Sequence, residues 1–219
     1  MKFEVKYKTR AAELYAPKED FILKHWRRGR FYEAQPGQLL DLMHGIDIGT
    51  YVDVGAHWGN HAAFIAQQAK SLHLIELRPD SFKVLKRNTE RWKDKCSYYN
   101  IALGAQDTWV DYEQLTPGNI GTTQVRPSDT GVRGAVKMVE LDSLKLRPDF
   151  IKIDVEGHEF AVLFGGMYTI RKYRPWIACE LTENEDDIHT FMKHMNYEPI
   201  ETKNATKTTL FKPRLLPVG

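Results

Sequence analysis

The sequence predicts an α/β fold, doubly wound around a mainly parallel sheet, on three observations. Short apolar runs alternate with longer helix-like segments through the middle of the chain, the pattern of strands flanked by crossover helices. A glycine-bearing turn, Gly55-Ala56-His57-Trp58-Gly59, follows one such run and opens a helix, the place where open α/β sheets receive nucleotide-like ligands. A later run ends in Lys152-Ile153-Asp154-Val155-Glu156-Gly157-His158-Glu159, a charge density abnormal for a buried strand.

Taken in order, residues 1–49 are the least periodic. Ala11 to Trp26 reads as one or two short helices and Gln38 to Gly45 as another, so the segment is expected to form a helical cover or lid. Tyr51 to Val54 is a strand, Asn60 to Lys70 a helix, Leu72 to Glu76 a strand, Asp80 to Trp92 a helix and Ser97 to Leu103 a third strand. Residues 107–140 carry turn signals (Thr116-Pro117-Gly118-Asn119, Arg126-Pro127) around short β-like pieces and no helix signal, which predicts an irregular β-rich insert. Periodicity resumes with a strand at Phe150 to Val155, a helix from His158 to Lys172, a strand at Trp176 to Leu181 and a helix at Glu183 to Met195. Tyr197 to Glu201 and Thr208 to Lys212 read as a pair of edge strands, and residues 214–219 as a frayed tail.

Composition excludes several classes. The chain has 219 residues, 42% hydrophobic and 27% charged, which fits one α/β domain and rules out a disordered or low-complexity chain. A net charge of +2 calls for no polyanionic partner, so nucleic acid is an unlikely one. The basic and aromatic stretch Lys24 to Phe31 is the feature that would suit nucleic acid, and a solvated helix end is its commoner meaning. Cys96 and Cys179 make no disulfide framework. No apolar run reaches the roughly eighteen residues of a membrane span, and the start has no signal-like apolar region. A cytoplasmic protein without membrane partners is expected.

The candidate cofactor residues follow from the first turn. A dinucleotide fingerprint starting at Gly55 would need glycines where His57 and Asn60 stand, which counts against NAD. A carboxylate-bearing ligand without a pyrophosphate, such as S-adenosylmethionine, needs only backbone room at Gly55 and Gly59 and the start of the next helix. Glu76 stands roughly twenty residues after Asp53, the spacing at which an acid accepts hydrogen bonds from ribose hydroxyls. Asp53, Gly55, Gly59 and Glu76 are therefore candidate cofactor residues, with His57 and Ala102 beside them. At the charged strand end, alternation puts Lys152 and Asp154 on one face. Asp154 is expected at the reacting end, with Lys152 and Asn119 as substrate contacts.

These stretches together resemble the FkbM-type methyltransferases, a branch of the Rossmann-like S-adenosylmethionine-dependent enzymes. The matching words are Val52-Asp53-Val54-Gly55-Ala56 with Gly59, Ile75-Glu76 with Pro79, Asn88, Ile101-Ala102-Leu103-Gly104, Leu141-Asp142-Ser143-Leu144, Phe150 to Gly157, Glu159, and Arg174-Pro175 with Glu180. The resemblance runs from residue 50 to 181, over half of the chain. It implies a class I methyltransferase fold with an antiparallel last strand, and methyl transfer to an oxygen of a sugar, glycan or other small molecule. His57-Trp58 and Arg78 depart from the usual family pattern.

An aliphatic hydroxyl acceptor needs a base within hydrogen-bond reach, and Asp154, Glu156, His158 and Glu180 are the candidates. The same four form a hard donor set that suits magnesium or calcium, although the resemblance requires no metal and none is expected. Competing readings are an RNA or DNA methyltransferase and a noncatalytic nucleotide or nucleic-acid binding module. Asp154-Val155-Glu156-Gly157 stands where amino methylation of bases would call for an Asn/Asp-Pro-Pro-aromatic tetrad.

Overall fold

Val52, Val54, Ile151, Ile153, Ile177 and Cys179 are all fully buried, because the strands carrying them lie mid-sheet with both faces covered. The computed structural model describes residues 1–17, 20–117, 119–128, 136–202 and 207–214. In chain order its elements are β1 (Lys2–Tyr7), β2 (Arg10–Tyr15), α1 (Leu23–Trp26), α2 (Leu39–Met43), β3 (Thr50–Val54), α3 (Asn60–Ile65), β4 (Ser71–Ile75), α4 (Pro79–Thr89), β5 (Cys96–Tyr99), β6 (Ala102–Leu103), β7 (Thr108–Thr116), β8 (Asn119–Pro127) and β9 (Val136–Val139). They continue with β10 (Phe150–Ile153), α5 (Glu159–Gly165), α6 (Met167–Tyr173), β11 (Trp176–Glu180), α7 (Glu185–His194), β12 (Tyr197–Glu201) and β13 (Thr208–Pro213).

The central sheet has the order β12-β13-β11-β10-β3-β4-β5. Strands β11, β10, β3, β4 and β5 are parallel, and β13 and β12 are antiparallel additions. The order reverses between β3 and β10, so the loops leaving their carboxyl ends diverge and open a crevice there. Strand alternation divides the core into two. Tyr51, Leu72, Leu74, Phe150 and Ala178 face a layer containing α3 and the N-terminal segment, whereas Val52, Val54, Ile151, Ile153 and Ile177 face α5, α6 and α7.

In the N-terminal segment, α1 and α2 fall within the two stretches expected to be helical, and the departure is confined to the start. Ala11 to Tyr15, expected in a helix, lie in β2, paired antiparallel with β1 so that Val5 opposes Ala12 and Phe3 opposes Leu14. The Ala-Ala-Glu-Leu composition favours helix, but cross-strand pairing buries Val5, Ala12 and Leu14 together, and burial outweighs the weak local propensity. Asn88 holds this hairpin to the core, accepting from Tyr15 N at 2.7 Å and donating to Trp58 O at 2.7 Å. The basic stretch also buries its aromatics: Trp26 and Phe31 are each 1% exposed, so they form no outward nucleic-acid surface.

The strand expected over 97–103 is two strands: β5 closes the main sheet, and β6 joins β9, β7 and β8 in a second sheet. Residues 108–116 and 119–127 of the insert pair as a long antiparallel hairpin rather than irregular pieces, while residues 118 and 129–135 lie outside the described residues, as do 215–219 of the expected tail. The expected pair of edge strands forms one end of the sheet, with β12 outermost and β13 between it and β11. The helix expected from His158 to Lys172 breaks at Gly166. Asp142 caps its second half by accepting from Tyr168 N and Thr169 N at 2.9 and 2.7 Å. Among the described residues, no helix is long and apolar enough to cross a membrane.

Gly165 lets α5 touch the second sheet, since a Cβ there would stand 2.0 Å from the Gly104 carbonyl oxygen. Gly165→Ala is expected to lower stability by about 2–4 kcal/mol through that backbone clash, read as the shift in the urea midpoint.

Candidate active site

The loops at the carboxyl ends of β3, β4, β10 and β11 surround a cavity of about 320 Å³, closed on one side by the N-terminal segment and on another by β8. Gly55 forms its floor. It leaves β3 with φ +80°, and a Cβ would lie 1.8 Å from the Asp154 carbonyl oxygen, so only glycine lets the two strand ends come this close. The turn is then held from the next strand: Gly55 N and Ala56 N donate to Ile75 O at 3.0 and 2.9 Å.

Glu76 continues this support. Its carboxylate accepts from His57 N and Arg78 N, each at 2.8 Å, so one side chain organises both the glycine turn and the β4–α4 connection. Burial pushes its pKa up to about 7, against those two hydrogen bonds. Glu76 lines the cavity, and a carboxylate has lone pairs beyond the two that the backbone uses.

Opposite lies an ion triad. Lys152 and Asp53 are register partners on β10 and β3. Lys152 Nζ stands 2.8 Å from Asp154 Oδ2 and 3.7 Å from Asp53 Oδ1, with Lys152 and Asp53 almost fully buried. Burial opposes the ammonium charge, but Asp154 and Asp53 hold the lysine above its ordinary pKa. Burial likewise opposes ionisation of Asp154, and Lys152 together with a hydrogen bond from Glu180 overcomes it and holds Asp154 low. Glu180 is correspondingly pushed well up, by the charge of Asp154 and by burial, so it retains a proton. Glu156 is raised to about 7 by burial and by Asp154.

Of the residues expected from sequence, Gly55, His57, Glu76, Asn119, Lys152, Asp154, Glu156 and Glu180 all line this cavity. Asp154, Glu156 and Glu180 each offer a carboxylate oxygen, and the three oxygens lie within 4.8 Å of one another. His158, the fourth member of the expected donor set, is not among them. It lines a smaller, mainly apolar cavity with Ile75, Leu77, Ile101, Ala102 and Val155. Asp53 is fully buried behind Lys152 and off the cavity wall. Gly59 is the N-cap of α3, lying against Leu85 of α4.

Sequence reasoning missed Asp20, Tyr32, Glu33, Asn60 and His61, which also line the cavity. Asn60 accepts from Trp26 Nε1 at 2.9 Å and Tyr32 N at 3.0 Å, drawing the N-terminal segment onto α3. Glu33 Oε2 and His61 Nε2 are 2.9 Å apart and both residues are buried. The available signal was two polar residues opening a helix whose every residue is buried.

Residues 53–199 match the family model described as the methyltransferase FkbM domain. The chain belongs to the FkbM methyltransferase family. The hexuronic acid methyltransferase AglP of Haloferax volcanii is 28% identical over 118 residues, 52% of this chain and 48% of that protein; the chain thus spans about half the length of this relative. Two solved structures share the fold. Methyltransferase FkbM from Methylobacillus flagellatus KT superposes with a TM-score of 0.55 at 18% identity, over 75% of this chain and 43% of the other. The B. subtilis tRNA methyltransferase TrmK gives a TM-score of 0.50 at 13% identity, over 80% and 65%.

In this FkbM-family chain, Lys152→Met strands buried Asp53 without its counter-charge and is expected to destabilise by about 3–5 kcal/mol, measured by chemical unfolding. Folded Glu76 keeps its proton until about pH 7, whereas the unfolded side chain releases it near 4.5. The folded state therefore binds more protons in that window, and stability contributed by Glu76 falls as pH rises through it. Glu76→Gln should flatten that part of the stability profile relative to the native chain.

Proposed function

We propose that this chain is an S-adenosylmethionine-dependent O-methyltransferase acting on a hydroxyl of a sugar, glycan or other small molecule. The observation that carries this reading is the conjunction of the Gly55 floor with buried Glu76 at the same cavity. Such an acid suits ribose hydroxyls. Leu77 and Val155, which also line the main cavity, place apolar surface beside Glu76 there, against which a flat adenine ring can pack. Bound S-adenosylmethionine supplies an activated methyl group on a sulfonium centre. The chain's own part is to hold the acceptor oxygen in line with that methyl, exclude water and take a proton.

The acceptor side is assigned to the N-terminal segment and β8, through Asp20, Phe21, Tyr32, Asn119 and Thr123. Loops and covers over strand ends are where specificity is carried. The cavity wall includes Asp20, Glu33, Glu76, Asp154, Glu156 and Glu180, with Lys152 already occupied by two carboxylates. With Glu180 protonated, Glu76 and Glu156 ionising only near pH 7 and Asp154 paired with Lys152, these lining groups offer hydrogen bonds rather than an uncommitted cation, which favours a neutral hydroxyl acceptor over a phosphate backbone or a uronate. AglP, whose name gives a hexuronic acid as its substrate, supports a sugar acceptor while differing in this respect.

Calorimetry with S-adenosylmethionine and S-adenosylhomocysteine, with NAD as control, tests the reading. Micromolar binding of the adenosyl ligands is expected, with none of NAD. Glu76→Ala should weaken binding about a hundredfold, the worth of roughly 3 kcal/mol from charge-assisted hydrogen bonds to the ribose. Well-folded protein that binds neither adenosyl ligand would overturn the function.

A further inference from the structure

We propose that His61 is the general base of this active site and that Glu33 is its positioning residue; the inference rests on the methyltransferase reading above. Neither residue belongs to a motif legible in the chain. The structure brings them together from the segment before α2 and the first turn of α3. Glu33 adopts φ +57°, a left-handed conformation uncommon for a non-glycine residue. That conformation is held by Leu40 N donating to Glu33 O at 3.0 Å. It delivers the carboxylate, buried to 4% exposure, to 2.9 Å from His61 Nε2.

A carboxylate accepts only, so Nε2 carries the hydrogen and Nδ1 is left with the lone pair. His61 lines the cavity together with Asp154 and Glu156. A base oriented by a buried acid is the arrangement by which a proton is taken from a hydroxyl in a fixed direction. The residues expected from sequence are less suited. Asp154 is committed to Lys152, Glu180 shares a proton with Asp154, and His158 lies at the smaller cavity. Glu156 also faces the cavity, but among the described residues its carboxylate has no orienting partner comparable to Glu33.

In the transfer, the acceptor oxygen forms its bond to the methyl carbon while the carbon–sulfur bond breaks with its electron pair remaining on sulfur. The O–H proton passes to His61 Nδ1, and the imidazolium later releases it to water. Glu33 stabilises the imidazolium across the 2.9 Å contact without taking the proton. The charged groups facing His61 are Glu33 from the N-terminal segment and, from the end of β10, Asp154 paired with Lys152.

Nitrogen-15 NMR of the native protein should show His61 protonated at Nε2 and unprotonated at Nδ1 when neutral. Glu33→Gln should lose that preference and Glu33→Asp should retain it. S-adenosylhomocysteine affinity of His61→Asn should stay within about threefold of native, whereas methyl incorporation from tritiated S-adenosylmethionine into a panel of neutral methyl glycosides should fall at least about a hundredfold. Added imidazole should partly restore His61→Ala. An Nδ1-protonated tautomer in the native protein overturns the proposal whatever the acceptor. So does a tenfold loss of S-adenosylhomocysteine affinity in His61→Asn, or loss of turnover in Glu156→Gln with His61→Asn unaffected. Failure of native protein to bind S-adenosylhomocysteine at all would instead sink the methyltransferase reading itself.

Discussion

The Lys152 ammonium lies between two carboxylates inside the sheet, and the cavity is arranged around it. Lys152 and Asp53 face each other across β10 and β3, on the side of the sheet covered by α3 and the N-terminal segment. Three charges in a row at a sheet centre would ordinarily be destabilising. Here the ammonium offsets Asp53 behind it and Asp154 in front. Asp154 therefore stays ionised at the strand end, and its charge drives the proton onto Glu180. The charge state of the cavity wall is thus set from within the sheet.

A second constraint is steric. The Gly55 turn crosses the Asp154 carbonyl too closely for any Cβ, and Glu76 holds that turn in place through His57 N. The ends of β3, β4 and β10 are consequently one mechanical unit. Further out, Arg78 connects this unit to the second sheet, pairing with Asp80 at 2.7 Å and lying over the Tyr112 ring of β7. Asn60 and Asn88 do the same for the N-terminal segment, tying Trp26, Tyr32 and Tyr15 to the helices beside the turn.

Much of the central fold was legible because its strands are continuous apolar runs and its helices start where the glycine turn and Pro79 place them. Glu76 and the charged end of β10 were legible for the opposite reason, since acids in a buried context stand out. The N-terminal hairpin was not, because Arg10 to Tyr15 carries helix-favouring residues and becomes a strand only against β1. The division of residues 96–103 between two sheets was also hidden: nothing local says that the chain leaves the sheet after Tyr99. Asp53 stood out as an acid in a buried strand, but its depth behind Lys152, off the cavity wall, depends on cross-strand register.

Periodicity and local backbone requirements are written residue by residue, and they suffice for the doubly wound sheet, the glycine turn and the acids at two strand ends. Which polar groups share the cavity is settled only when the chain has folded. Glu33 and His61 are 28 positions apart, and their contact exists because the N-terminal segment folds back over α3. Likewise His158, two residues from Glu156 in the chain, lies at the smaller cavity because the turn at Glu156 and Gly157 takes positive φ and separates them. Register and chain reversal act between distant segments, and no local pattern encodes them.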